Sequence, residues 1–164
     1  MEYEILKAEH TDFDHGIWEI FKTVISSGDT YIYPPETTKE EARKIWVNER
    51  ICYVVKEKVT GLIIGTYTIR PNFIGLGSHV ANAGFMVHPQ HRDKKLGQVM
   101  GAHALIEAKK LGYEAMQFNV VVSTNERAVY LWQKLGFKVI GTVPQAFNHR
   151  TKGYVDIHIM HRFL

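Results

Sequence analysis

Asn82-Ala83-Gly84-Phe85-Met86-Val87-His88-Pro89-Gln90-His91-Arg92-Asp93-Lys94-Lys95-Leu96-Gly97-Gln98-Val99-Met100-Gly101 is the stretch from which the rest of the chain can be read. Its apolar run, residues 83–87, predicts a strand that ends at Pro89. A basic loop with Arg92, Lys94 and Lys95 follows, and Leu96-Gly97 opens an amphipathic helix over residues 95–111. Loop N–H groups beside a helix N-terminus, joined by fixed positive charge, suit a phosphate or pyrophosphate. Lys and Arg oppose the macrodipole at that end of a helix, which an anionic ligand would offset. A solvated basic turn would show the same residues.

Upstream, residues 2–9 alternate charged with apolar and read as a first strand. Asp12 or Asp14 is expected to cap a helix carrying Ile17, Ile20, Phe21, Val24 and Ile25 on one face. Tyr31-Ile32-Tyr33-Pro34-Pro35 is an aromatic loop that its prolines keep from being helical. Thr37-Thr38-x-x-Glu41 resembles a capping box opening a second helix, with Ala42, Ile45 and Trp46 on one side. Runs 51–57 and 62–70, separated by Lys58-Val59-Thr60-Gly61, predict an antiparallel hairpin, and a glycine-rich loop spans residues 72–78.

Downstream, residues 115–122 predict a buried strand interrupted by the polar Asn119. Ser123-x-x-Glu126 is expected to cap a helix whose Ala128, Leu131, Trp132 and Leu135 form one apolar stripe, ending at Gly136-Phe137. Two last strands, 137–143 and 154–162, are expected around a loop holding Pro144, Phe147, His149 and Gly153. The element order is therefore β-α-α-β-β-β-α-β-α-β-β. It implies an α/β chain: a mixed sheet with helices on both faces and strand–helix units 80–111 and 115–136 parallel at its centre. Ligands of such sheets bind at the carboxyl ends of the central strands.

With 164 residues the chain is expected to form one domain, residues 1–164, with a core that needs neither disulfide nor metal. A net charge of +3, with no run of Lys or Arg longer than two, does not suggest nucleic acid as the partner. The single Cys52 lies in an apolar strand, reads as core, and suits a reducing compartment. The N-terminal residues do not resemble a signal peptide, and no apolar run approaches the roughly 20 residues that span a bilayer. A cytoplasmic protein without membrane partner is expected. His88/His91 and His158/His161 lack nearby Cys or carboxylate clusters, so no metal is expected.

Two spaced patterns carry a resemblance. Val87-x-Pro89-x-x-Arg92-x-x-Lys95-x-Gly97 is similar to the acetyl-CoA signature of the GCN5-related N-acetyltransferase (GNAT) family, Arg/Gln-x-x-Gly-x-Gly/Ala preceded by Val-x-Pro. Asn125-x-x-Ala128-x-x-Leu131-Trp132-x-Lys134-x-Gly136-Phe137 resembles the family's second signature. The order of elements resembles that family's fold across nearly the whole chain. The resemblance implies a mostly antiparallel, seven-stranded sheet with a splayed parallel pair at its centre. It also points to the subgroup of phosphinothricin and amino-acid acetyltransferases. Two departures stand out. Lys95 occupies a motif glycine, feasible if its φ stays negative, and Asp93 replaces the glycine that commonly follows the arginine. Trp132 stands where a tyrosine often protonates the leaving thiolate, which indole cannot do.

By this resemblance the chain is an acetyl-CoA-dependent N-acetyltransferase acting by direct transfer in a ternary complex, with a homodimer as a possible assembly. The acceptor is a small-molecule amine, most simply an amino acid or its analogue. A protein N-terminus or lysine is the alternative acceptor, and a silent acyl-CoA sensor the alternative function. Acetyl-CoA would lie against Phe85, Met86, Val87, Arg92, Asp93, Lys94, Lys95, Leu96, Gly97, Gln98, Asn125 and Trp132. Phe85 would supply a catalytic N–H near the thioester; in place of the missing tyrosine, either a water polarised by the Asn125 amide serves or the thiolate leaves unaided. Tyr31, Tyr33, Phe147 and His149 are candidates for the acceptor wall. Asn82 and Asn119, polar within apolar strands, either hold a substrate carboxylate or amide, or bridge the strands structurally. With no Asp or Glu on strands 80–87 and 115–122, proton removal would go through water, or the amine would enter neutral.

Overall fold

The computed structural model describes residues 2–92 and 95–164. Chain order runs β1 (Tyr3–Lys7), α1 (Ile17–Ser26), α2 (Lys39–Arg43), β2 (Ile51–Glu57), β3 (Ile63–Pro71), β4 (Val80–Val87), α3 (Leu96–Lys110), β5 (Ala115–Val122), α4 (Glu126–Lys134), β6 (Lys138–His149) and β7 (Gly153–Phe163). The strands form one sheet in the order β1-β2-β3-β4-β5-β7-β6. Every neighbouring pair is antiparallel except β4–β5, which is parallel. That pair touches only at Val80↔Ala115 and Ala81↔Met116, and from Asn82 onward the two strands diverge. The expected splay is present, and it creates the site. No helix of the described residues is long and apolar enough to cross a membrane.

The alternation of side chains along each strand divides the core into two layers. On one face α1, α2 and the π-helical turn after it, Lys44–Asn48, bury Phe21, Ile25, Ala42 and Trp46 against Cys52, Val54 and Met86. On the other, α3 and α4 bury Leu96, Met100, Ala104 and Trp132 against Tyr67, Ile69, Met116 and Phe118. Trp46 is fully buried, and its indole N–H donates to Thr66 Oγ1 at 3.1 Å, so its one polar atom is satisfied. Close contact between α3 and α4 depends on Gly101, where a Cβ would lie 2.5 Å from Leu135 Cδ1.

Helix ends match the sequence at some places and not at others. Thr38 caps α2, its hydroxyl accepting from the Glu41 N–H and the Glu41 carboxylate accepting from the Thr38 N–H. Helix α1 is not capped by Asp12 or Asp14; Gly16 precedes it, and those aspartates sit at a 3-10 turn, His10–Phe13, and its end. Asp14 instead pairs with Lys39 and Arg43 of α2. Helix α4 begins at Asn125 and not Ser123, because Asn125 Oδ1 accepts from the Ala128 N–H. The largest difference is at the C-terminus, where β6 runs through the expected loop to His149. Pro144 is tolerated because β6 is the sheet edge and the register shifts between Val143 and Phe147. Gln145 takes φ 50° in that bulge.

Candidate active site

The β4–β5 gap opens into a cavity of about 740 Å³, lined by the loop 29–33, β4 from Asn82 to Val87, the start of α3, β5 from Phe118 and the first turns of α4. Strand β4 builds two walls at once. Phe85 turns toward the α3/α4 layer, where its ring meets Tyr67 at 5.5 Å and Trp132 at 4.8 Å. Trp132 also lies 4.8 Å from Phe118, so three aromatic rings close that side. Gly84 turns toward the other layer, and there a Cβ would lie 3.0 Å from the Trp46 ring.

Residue 31 reaches across the gap. The Tyr31 hydroxyl donates to the Phe85 carbonyl at 2.7 Å and accepts from the Phe85 N–H at 2.8 Å. Phe85 pairs with Tyr67 of β3, yet its own N–H and C=O are left for the gap, where β5 has moved away. One phenol therefore satisfies both groups. Desolvation, more than the neighbouring Tyr33, pushes the Tyr31 pKa well above the ordinary phenol value. Its ring stacks on Tyr33 at 5.8 Å.

Asn82 and Asn119 do face the cavity, but they are not an unmatched pair. Both side-chain NH2 groups donate to Asn72 Oδ1, at 2.9 and 2.8 Å, and Asn119 Oδ1 accepts from Gln117 Nε2 at 3.0 Å. Asn72, buried at the end of β3, thus pins β4 and β5 at the point where they part, while its own Nδ2 has no partner among the described residues. Asn72 is the residue that the sequence reading missed. A polar residue directly after Pro71 looks like an ordinary loop start, and only the strand pairing brings it between the other two amides.

Arg92, Lys95, Gly97 and Gln98 line the opposite end of the cavity. Lys95 adopts φ 57°, ψ 15°, so the motif position keeps the left-handed conformation that suits glycine; the expected negative φ does not hold. Lys95 gives α3 no side-chain cap; its carbonyl accepts from the Gln98 N–H, and the Leu96 and Gly97 N–H groups precede the first intrahelical bond. Asp93 and Lys94 lie outside the described residues. Leu96 is buried in the core beneath this end and is not part of the cavity wall. Asn125 lines the cavity while capping α4, as does Trp132 from the next turn. Phe147 and His149 are not brought there. Phe147 packs with Val122 and Ile157, and His149 Nδ1 accepts from the Thr151 N–H in the β6–β7 turn. The extension of β6 carries both away.

Electrostatically the cavity is one-sided. Among the described residues that line it, Arg50, Arg70, Arg92, Lys95 and Arg127 face a single carboxylate, Asp29, whose Oδ1 accepts from the Ser27 hydroxyl. Burial, and then the charge of Arg50, hold the Arg70 pKa below its ordinary value. Among the described residues no group of three His, Cys, Asp or Glu is placed to hold a metal. Cys52 is buried away from the cavity, and desolvation pushes its thiol up to about 11, which makes it packing and not a nucleophile.

Comparison with known proteins adds ancestry to this geometry. The model of the acetyltransferase (GNAT) family matches residues 15–137. N-acetyltransferase aca1 of Schizosaccharomyces pombe is 30% identical over 151 residues, 82% of this chain and 72% of that protein. A GCN5-related N-acetyltransferase from Kribbella flavida has a similar structure, with a TM-score of 0.92, 41% identity and coverage of 99% of this chain and 98% of that one. A phosphinothricin acetyltransferase from Sinorhizobium meliloti, solved in complex with acetyl-CoA, shares the fold at 17% identity and a TM-score of 0.87, over 100% of this chain and 89% of its own.

Proposed function

This chain belongs to the acetyltransferase (GNAT) family, and from that premise we propose that it moves an acetyl group from acetyl-CoA to the amine of a small molecule, an amino acid or amino-acid analogue. The observation that carries the reading is the divergence of β4 from β5 beside Phe85, with cations at one end of the gap and a fixed amide cluster at the other. The residues present fit the cofactor. The Phe85 backbone groups that β5 leaves to the gap, now held by the Tyr31 hydroxyl, would suit an extended, amide-bearing chain added as a strand would be. The start of α3 lies close against α4, since a Cβ on Gly97 would sit 3.1 Å from Leu131 Cδ2.

Acetyl-CoA supplies the activated acyl carbon; the protein supplies position and charge. Arg92, Lys95 and the start of α3 would take up phosphate charge. The backbone of Phe85, Met86 and Val87 holds the arm. The Phe85 N–H, once the Tyr31 hydroxyl yields it, donates to the acyl oxygen and stabilises the negative charge that develops there. Trp132, Phe118 and the Phe85 ring exclude water from that bond, which strengthens it. Asn125, fixed as a helix cap, orients the water that returns a proton to the departing sulfur, since the Trp132 indole has none to give.

On the acceptor side stand Tyr31, Tyr33, Asn82 and Asn119. The amides form a fixed floor, because Asn72 holds them. The cavity's only described carboxylate is already bonded to Ser27, so the amine enters neutral or gives its proton to water. The excess of cations speaks against a lysine-rich protein tail as acceptor. We place the reaction in the cytoplasm, where the free Cys52 thiol is at home, and assign it to one domain over residues 1–164. Titrating acetyl-CoA against an amino-acid panel while following free thiol tests the reading. Amine-dependent thiol release from at least one member is expected. Tight acetyl-CoA binding with no release from any amine would overturn it in favour of a silent acyl-CoA sensor.

A further inference from the structure

We propose that Arg50 and Arg70 form the subsite that reads the acceptor, and that the amine this protein acetylates carries a carboxylate. The proposal rests on the acetyl-transfer reading for the reaction, but the subsite follows from the geometry of the two arginines alone.

Both guanidinium groups line the cavity, and neither is paired with a carboxylate among the described residues. Arg50 Nη2 donates to the Tyr33 hydroxyl at 2.9 Å, and Arg70 Nη1 reaches the neighbouring Pro71 carbonyl at 3.4 Å. Each guanidinium has five N–H donors, so most of this capacity is unspent. The contrast with Arg43 is direct: half-buried like them, it pairs with Asp14 at 2.6 Å. Two partly buried like charges lower each other's stability unless an anion is shared between them. The fold nevertheless places them together, and does so rigidly. Arg70 is the register partner of Asn82 within the sheet. Arg50 immediately precedes β2 and lies with its guanidinium 5.8 Å from the fully buried Trp46 ring.

Position separates this pair from the phosphate end. Asn82, opposite Arg70, lies three residues before Phe85, or about 10 Å along the strand. Arg92 and Lys95 lie beyond the other end of β4. The cavity therefore has two cationic poles with the Phe85 N–H between them, one for the cofactor's phosphates and one for a second anion. A planar carboxylate matches the forked guanidinium, and two forks with the Tyr33 hydroxyl beside them fix its plane. An amine borne on the same small molecule is then held toward Phe85. The Asn72-Asn82-Asn119 cluster lies between, with the Asn82 and Asn119 NH2 groups both spent on Asn72 Oδ1, so it shapes the floor and leaves the charge to the arginines.

A product-side binding measurement tests this without turnover. In the presence of CoA, N-acetylglycine and N-acetylglycinamide are titrated by calorimetry against wild type, Arg50→Gln, Arg70→Gln, the double variant and Arg70→Lys. Wild type is expected to bind the carboxylate at least tenfold tighter than the amide. Each Gln variant should lose most of that preference, the double variant all of it, and Arg70→Lys should keep part, because it retains charge without the fork. Acetyl-CoA affinity, unchanged in all variants, reports that they are folded. Equal binding of the two probes by wild type, or a preference that survives in the double variant, overturns the proposal. If the variants do not fold, a wild-type structure with N-acetylglycine decides: a carboxylate seated away from both guanidinium groups overturns it. Absence of thiol release with every amine would sink the acetyl-transfer reading while leaving a measured carboxylate preference intact.

Discussion

The Tyr31 hydroxyl accepts from the Phe85 N–H, and on the proposed reading the acyl oxygen would compete with it for that donor, with a measurable consequence. A hydrogen bond of this kind is worth about 1 kcal/mol net. Tyr31→Phe removes the competitor, so the KM for acetyl-CoA is expected to fall severalfold in steady-state kinetics, with a modest loss of thermal stability from the two lost bonds. An unchanged KM would contradict the competition, and a raised one would show that the hydroxyl helps to hold the cofactor. Tyr31 was legible in the sequence as a wall residue, but its bond to Phe85 was not, since 54 positions separate them. Lys95 was legible as a departure from glycine, while its left-handed backbone was not, because a loop can accommodate a side chain there at a cost of roughly 1–2 kcal/mol. Asn72 escaped altogether: nothing local distinguishes a buried bridging amide from a turn residue.

At the scale of elements, local chemistry was reliable where it was self-contained. The Thr38–Glu41 capping box and the hairpin of β2 and β3 formed as read, since each is decided by residues close in sequence. Ser123 failed as a cap because Asn125, two residues later, makes the same bond to the helix that starts there. The end of β6 failed because Pro144 signals a loop unless one knows that the strand lies at a sheet edge. One junction carries a pH prediction. Bonds from Lys39, then Arg43, hold the Asp14 pKa down from 3.8 to about 2, which ties the turn before α1 to α2. A carboxylate depressed in the folded state stabilises it above the unfolded pKa, and that contribution disappears as pH falls through the folded value. Thermal melts should therefore show stability declining as pH drops from 3.8 toward about 2. Asp14→Asn should flatten part of that decline, and an identical slope in the variant would contradict the assignment. Glu41 and Glu107, held low by Thr38 and Lys110 respectively, act in the same direction and account for a remainder.

On the scale of the whole molecule, the net charge of +3 conceals how charge is distributed. Among the described residues lining the cavity, five cations meet one carboxylate, an asymmetry that composition cannot reveal because acidic residues elsewhere cancel it. The order of elements, the helices on both faces and the central parallel pair follow from strand and helix patterns that the sequence displays plainly, whereas the insertion of β7 between β5 and β6 does not. The pairing of Arg50 with Arg70 depends instead on the register of β2 and β3, and became visible only with the fold. The proposed function rests on the same global feature as the fold, the parting of β4 from β5. The most direct test of the account follows both halves of the transfer at once, by mass spectrometry of the amine alongside assay of free thiol. The account predicts one acetyl group on the acceptor nitrogen for each thiol released, with neither product formed in the absence of the amine. Thiol released without an acetylated amine, or no acetylated product from any amine tested, would contradict it.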